Sequence, residues 1–439
     1  MRIRRTAFGL AAGVLALALL ALALLAPAVP AHASPPTATS SVTRWAACHA
    51  VAVPDDPDRP GRDLAAIARA TAGADVIGLG EPGHTIGEVT TLQARYLRHL
   101  VTHERVRAIA FEMDWTLALS VNDYVLGVRD DLDAVLDVQE RIWQTAEVRD
   151  VLEWLRHYND THSDDVRVAG SEYFATGQAA YDAVEAYVAA NAPDRMAELL
   201  RHFEWVRPDP DVDIGTHLGE YLAIVDKAPY VEAAAAVESL VEAIGASDGH
   251  DLAAHHARQI HSWYEGFSLA WGEIPDYRDA RAAENVRWWQ QHTGSRTIYW
   301  AASAHVADAP QLTITEPGEP DMTLASAGSH LEDWYGRGYV TIGFTFDHGT
   351  YLTDAGATIE LPPATPGWFE QPLADVRYAQ FVLRLDRHVP RPVREWLDAP
   401  LTTRGLPEYG SESIAHGGTL REWFDVLVHT QEVTPAERL

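Results

Sequence analysis

Two short apolar runs separated by a helical pattern constrain the fold of this chain more than any other feature. Residues 76–80 (Val-Ile-Gly-Leu-Gly) and 107–111 (Arg-Ala-Ile-Ala-Phe) have the composition of buried strands. Between them, residues 88–102 repeat apolar side chains at helical spacing. A strand, a helix and a strand in this order form a β-α-β unit whose strands are parallel. The sequence therefore predicts an α/β fold.

The same reading extends to the rest of the chain. Strand patterns recur at residues 165–170, 297–300, 339–346 and 424–429, while residues 176–291 are Ala-rich, helical and without a convincing strand. We therefore predict an α/β domain over residues 63–439. Its central, largely parallel sheet is flanked by helices and carries a long helical insertion, 176–291, between the third and fourth core strands.

The N-terminus has the pattern of a secretory signal. A basic start precedes a long apolar run, and Ala31-His32-Ala33 fits a cleavage site. We predict a signal peptide over residues 1–33, with an uncleaved membrane anchor as the alternative, because the apolar run is long enough to span a bilayer. Residues 34–62 are expected to be a loop-rich segment. Both readings place the protein outside the cytoplasm; cleavage would leave it secreted, without stable membrane association.

The net charge indicates which kinds of partner the protein can bind, and the cysteine content shows whether it can form a disulfide. The chain has 34 basic and 63 acidic residues, a formal net charge of −29. An acidic surface repels nucleic acid and anionic membranes, so we expect a small-molecule substrate instead. Cys48 is the only cysteine, which excludes an intrachain disulfide. The sequence does not predict an oligomeric state.

Ionisable side chains follow the first two strands directly. Glu81 and His84 come after residues 76–80, and Glu112 follows residues 107–111. Because the carboxyl ends of parallel strands meet in one crevice, we expect these side chains to share a pocket. An imidazole beside carboxylates is suited to general-base catalysis, and a helix start behind His84 would favour its neutral form. Alternatively, His84 is a surface loop residue and Glu112 pairs with a core arginine such as Arg95.

Four further residues are candidates for contacting the substrate. Asp114 follows Glu112, although an Asp before Trp can also cap a helix. Arg278 lies on a predicted helix, where it can hold a substrate oxygen or a catalytic carboxylate. Ser303 and His305 follow the strand at 297–300 and reach the same edge of the sheet. No ligand spacing points to a metal, and no motif points to a cofactor, so we predict neither.

From about residue 70 to the end, the chain resembles the erythromycin esterase family. The resemblance is carried by Gly80-Glu81-Pro82-Gly83-His84, Phe111-Glu112-Met113-Asp114-Trp115, Arg278-Asp279, Trp300-Ala301 with His305, and Trp423-Phe424-Asp425-Val426-Leu427-Val428-His429. It implies a metal-independent hydrolase that opens a macrolactone ring. His84 would be the base that activates water, Glu81 and Glu112 the carboxylates around it, and Arg278 the arginine of the pocket. Arg95 matches the arginine of the helix after the first motif, so the resemblance implies that it also contacts the substrate.

One departure from the family pattern bears on the reaction. The strand after the helical region ends Trp-Ala-His-Asn-x-His in the family, whereas here Ala302 and Ser303 stand at the first His and the Asn. The family's second catalytic histidine is therefore replaced by Ala302. We expect a secreted ester or lactone hydrolase; a lyase or cyclase that uses the same base on an exported natural product is the alternative. A ligand-binding protein without catalysis is a third possibility.

Overall fold

A nine-stranded sheet forms the centre of the protein in the computed structural model. The structure describes residues 36–54, 56, 61, 63–174, 177–245, 247–353, 356–385 and 388–439. The strands are β1 (Val51–Ala52), β2 (Val76–Glu81), β3 (Ala108–Asp114), β4 (Arg167–Glu172), β5 (Thr297–Ala302), β6 (Leu312–Ile314), β7 (Met322–Leu324), β8 (Tyr339–Leu352), β9 (Thr358–Leu361), β10 (Gln380–Arg384), β11 (Pro400–Arg404), β12 (Ile414–Thr419) and β13 (Val426–Val433).

Helices separate most of these strands. They are α1 (Pro36–His49), α2 (Ala65–Thr71), α3 (Gly87–Glu104), α4 (Trp115–Val125), α5 (Leu132–Asp137), α6 (Ala146–Thr161), α7 (Gln178–Asn191), α8 (Met196–Val206), α9 (Ile214–Ala223), α10 (Ala228–Ile244), α11 (His250–Gly266), α12 (Ile274–Thr293), α13 (Ser303–Val306), α14 (Ala327–Tyr335), α15 (Arg391–Leu397) and α16 (Leu420–Trp423).

The strand order confirms the predicted largely parallel sheet. It runs β1-β10-β13-β8-β2-β5-β3-β4, and every pair from β13 to β4 is parallel. β1 and β10 are antiparallel at one edge, and β9 pairs antiparallel with β8. β5 lies between β2 and β3, so these three strands end at the same edge of the sheet.

Burial explains why the central strands were visible in the sequence. Every residue of β2 and of β3 is buried. Ile77, Leu79, Ile109 and Phe111 belong to one apolar core with Trp300 of β5. Strands covered on both faces carry nearly continuous apolar runs, and the first polar residues mark where each strand leaves the core.

The helical insertion is also confirmed. Between β4 and β5 the described residues form helices α7 to α12 and no strand. These helices have an apolar core of their own, which includes Tyr181, Val237, Ile260 and Trp263. The last of them, α12, returns the chain to the sheet and carries Arg278.

A second sheet, which the sequence did not reveal, has the order β11-β12-β6-β7 and is antiparallel throughout. Its strands are short, with only three residues in β6 and three in β7. Such short strands lack a recognisable alternation of apolar and polar residues. This sheet contributes one wall of the cavity described below.

The N-terminal segment differs from the prediction of loop between residues 34 and 62. Residues 36–49 form α1, and β1 follows and pairs with β10. Val42, Trp45 and Ala46 lie on one helical face and are buried, which explains why a stretch rich in Pro, Ser and Thr is helical here. The predicted signal peptide, residues 1–33, lies outside the described residues.

Residues 41–439 form one compact unit. Among the helices that the structure describes, none combines the length and the apolar character needed to cross a membrane.

Candidate active site

His84 lies in a tight corner between β2 and α3. Thr85 adopts the left-handed conformation, with φ of 58°, which is uncommon for a β-branched residue. A side chain at Gly83 would place its Cβ 2.5 Å from the ring of Pro407, so only glycine fits this close approach. The corner is therefore sterically specified, and it fixes where the imidazole projects.

Residues near the C-terminus hold this corner in place. The Ala436 N–H donates to the carbonyl of Thr85 at 2.8 Å, and the Gly87 N–H donates to the carbonyl of Thr434 at 2.9 Å. Ile86 and Pro435 form an isolated antiparallel bridge between these contacts. The backbone around His84 is thus clamped by a segment about 350 residues later in the chain.

The two carboxylates beside His84 have different roles in the geometry. His84 Nδ1 lies 2.5 Å from Oε1 of Glu81, whereas its Nε2 lies 3.8 Å from Oε1 of Glu112. Glu81 is steadied in turn by the Trp300 indole, which donates to its Oε2 at 3.4 Å. These contacts give the orienting position to Glu81.

Glu112 is the centre of the charge cluster. Its Oε1 accepts from Arg278 Nη2 at 2.7 Å and lies 3.3 Å from His305 Nε2. Its Oε2 accepts from the backbone N–H of Ala302 at 2.7 Å. Burial raises the pKa of Glu112, but the cationic groups of His305, His84 and Arg278 outweigh burial and hold the pKa well below its usual range. Glu112 therefore stays a carboxylate and links the two histidines.

Two acidic residues that sequence reasoning did not single out complete the cluster. Asp279 accepts a hydrogen bond from Nδ1 of His305 at 2.9 Å and is itself fully buried. Glu172 accepts from Arg278 through Nε at 3.0 Å and Nη2 at 3.1 Å. Glu172 ends β4 as Glu112 follows the apolar part of β3, so the same signal was present in the sequence.

Both histidines are held in the protonated form. Burial lowers the pKa of His84, but Glu112 and Glu81 outweigh it and raise the pKa to about 9. Burial likewise lowers the pKa of His305, yet Asp279 and Glu112 raise it to about 10. The expectation that the start of α3 keeps His84 neutral is therefore wrong, because two carboxylates at close range outweigh the partial charge of a helix end.

His84 opens onto a cavity of about 500 Å³, a size typical of small-molecule sites. Glu81, Ala302 and Ser303 line it beside the imidazole. Its other walls are mostly apolar and come from distant parts of the chain: Ile314, Phe344, Phe346, Tyr351, Phe369, Leu406, Pro407, Ala415, Trp423 and Phe424. Ser303 also donates to the carbonyl of Gly80 at 2.8 Å, which ties β5 to β2 at the cavity floor.

Two of the residues predicted to bind substrate have structural contacts instead. Arg95 is buried, pairs with Asp63 at 2.9 Å and donates to the carbonyl of Pro54. Helical periodicity turns it to the side of α3 that meets the N-terminal segment. Asp114 accepts from the N–H groups of Thr116 and Leu117 and so caps α4. Capping was the alternative reading for Asp114, and it satisfies donors that the first helical turn leaves unpaired.

In the part of the chain that the structure describes, no group of three or more His, Cys, Asp or Glu side chains is arranged to hold a metal ion. The cluster consists of carboxylates separated by cations. Side chains of these types can transfer protons and stabilise charge.

Solved structures with the same fold include a Bacillus cereus protein, with 22% identity over 91% of this chain and 99% of that one, and a TM-score of 0.80. A succinoglycan biosynthesis protein gives 23% identity, coverage of 92% and 100%, and a TM-score of 0.79. A mutant of the erythromycin esterase EreC in its open conformation gives 16% identity, coverage of 88% and 98%, and a TM-score of 0.67. The family model for erythromycin esterase matches residues 101–433. This chain therefore belongs to the erythromycin esterase family.

Proposed function

We propose that the protein hydrolyses an ester or lactone bond of a macrolide-like small molecule. The observation that carries the proposal is the arrangement of His84. Its Nδ1 is bound by Glu81, while its Nε2 stands 3.8 Å from Glu112, and the ring lines a mostly apolar cavity of about 500 Å³. An imidazole fixed through one nitrogen presents the other as a base, as general-base catalysis requires.

In the proposed step, the neutral form of His84 takes a proton from water at Nε2, and the water oxygen attacks the ester carbonyl carbon. The carbonyl oxygen gains negative charge, and the protonated histidine returns its proton to the departing alkoxide. Arg278 and His305 are not among the described residues that line the cavity; both contact Glu112 and add positive charge to the cluster beside His84.

Turnover of macrolactones in water enriched in heavy oxygen tests the reaction class. Hydrolysis puts one labelled oxygen into the carboxylate of the ring-opened product, which mass spectrometry detects. A ring-opened product without label would overturn the hydrolase, since the acyl oxygen of the product must come from water.

A lyase or cyclase remains the second candidate, and Ala302 favours it. A methyl group stands at the cavity floor where the family pattern has its second catalytic histidine. Without that group, His84 can still remove a proton from a bound substrate and drive an elimination or a ring closure. A product of unchanged mass, or of mass reduced by one water, and without label would support this reaction.

The raised pKa of His84 predicts an alkaline pH profile. The base must be neutral, and with a pKa of about 9 only a small fraction is neutral at pH 7. We expect kcat/KM to rise about tenfold per pH unit between pH 7 and pH 9 and then to level off. Replacing Glu81 by glutamine removes a carboxylate that raises the pKa, so the rise should move to lower pH. A flat profile in both proteins would contradict His84 as the base.

We also propose that the protein is exported. The basic, apolar and small-residue pattern of residues 1–33 supports this. The protein should be recovered from the culture medium of the organism that naturally makes it, and sequencing of its N-terminus should give a start near Ser34. A retained Met1 would contradict the cleavage.

A further inference from the structure

Glu370 is a buried acid that lines the same cavity as His84, and the reaction proposed above does not use it. Only 4% of the residue is exposed. One carboxyl oxygen, Oε1, accepts from the hydroxyl of Thr403. The other, Oε2, is buried and has no hydrogen-bond partner among the residues that the structure describes.

The nearest cation does not satisfy this carboxyl group. Arg404 also lines the cavity, but its Nη2 donates to the carbonyls of Pro362 at 2.8 Å and of Asp347 at 3.2 Å. Its guanidinium lies over the rings of Phe346 and Trp368, at 4.7 and 5.1 Å from their centroids. Within the described part of the chain, Arg404 makes no ion pair with Glu370 at 4 Å or less. Burial raises the pKa of Glu370 to about 7.

An unpaired buried carboxyl group destabilises the free protein, since its lost hydration is not replaced. A ligand that brings a donor to Oε2 relieves that cost. The cavity favours a positive donor over a neutral one. Its ionisable lining consists of the acids Glu81, Glu370 and Glu408 against His84 and Arg404. Phe369 and Tyr351 add aromatic surface, against which a cation packs favourably.

We infer that Glu370 anchors an amine subsite, in which its carboxylate receives the protonated amine of a macrolactone whose ester bond lies at His84. This inference rests on the proposed function, because it names the substrate class for that site. The amine would fix the ring in the cavity by a charge-assisted hydrogen bond at a point away from the reacting carbonyl, so Glu370 acts in binding and not in the chemical step.

Calorimetric titration tests the subsite without turnover. The ligands are an amine-bearing macrolactone and its N-acetylated derivative, and the proteins all carry His84→Ala so that neither ligand is consumed. Adding Glu370→Gln should raise the Kd of the amine about 10- to 100-fold and that of the N-acetyl compound less than about threefold. Glu412→Gln is the matched control: it removes an exposed acid that does not line the cavity, so it should change both values little.

Two other outcomes of the titration would overturn the amine subsite. Equal weakening of both ligands by Glu370→Gln would mean that Glu370 recognises a neutral group such as a hydroxyl. Unchanged binding, or no binding of either ligand to the protein with Glu370 intact, would mean that there is no amine subsite. Because binding is measured with turnover abolished, amine-selective binding by a protein that opens no ring would retain the subsite and reject the hydrolase.

A second measurement needs only the substitution Glu370→Gln as its reference. In the difference between the wild-type and Glu370→Gln infrared spectra, which cancels the other carboxyl groups, the band of the protonated Glu370 carboxyl should titrate near pH 7. At pH 6.5 the amine ligand should remove this band, since a neighbouring cation lowers the pKa of an acid, while the N-acetyl ligand should leave it. Persistence of the band with the amine bound would overturn the proposal.

Discussion

Replacing His84 by alanine is expected to lower kcat by about 10²- to 10⁴-fold, the usual contribution of a positioned base. The side chain makes its hydrogen bond to Glu81 through Nδ1, so alanine removes the base but leaves Glu112, Arg278 and His305 in contact with one another. KM should change little, because the apolar walls that make up most of the cavity are unaltered. Steady-state and single-turnover kinetics on a macrolactone measure both quantities.

The control for this substitution is His103→Ala. His103 is exposed and lies on α3, the helix that follows the His84 corner. The substitution His103→Ala should leave kcat unchanged. Full turnover by His84→Ala would remove every catalytic role proposed for this site.

Replacing Arg278 by methionine should lower the free energy of unfolding by about 3 to 5 kcal/mol, as expected when one partner of a buried ion pair is removed. Glu112 keeps its other partners, whereas in the described part of the chain Glu172 forms an ion pair with Arg278 and with no other residue. Urea unfolding of the two proteins measures the difference, with the slope expected to be unchanged.

Arg281→Met is the matched control, since Arg281 lies one turn later on α12 and pairs with Glu284, whose side chain is 32% exposed where that of Glu172 is 3% exposed. A pair whose carboxylate stays in contact with water contributes about 0 to 1 kcal/mol. The double substitution Arg278→Met with Glu172→Gln should recover part of the loss, because it removes the buried charge along with its partner. If Arg278→Met were no more destabilising than Arg281→Met, the buried network would not be supporting the site.

The sequence predicted the edge of the sheet where the charges meet. Strands buried on both faces must be apolar, so a Glu or His at the point where an apolar run stops is conspicuous. Glu81, His84 and Glu112 were recognised in this way, and the structure brings them within contact of one another. Glu172 carries the same signal at the end of β4.

Contacts between segments that are far apart in the sequence could not be predicted from local sequence patterns. Arg95 was assigned to the pocket by resemblance, but its partner, Asp63, lies 32 residues earlier in a segment without clear periodicity. The order of Glu81 and Glu112 around the imidazole depends on which ring nitrogen faces which strand, and spacing along the chain does not determine that. The cavity walls come from loops and short strands such as residues 403–407, whose positions follow from packing and not from local pattern.

The clamp of residues 434–436 on the His84 corner has a consequence for biosynthesis. A nascent chain that has already folded its sheet up to β8 still lacks the segment that pins Thr85 and Gly87. Residues 434–436 must therefore leave the ribosome before the His84 imidazole can be held in place. A product that terminates before residue 434 would lack the clamp, so we expect it to be inactive.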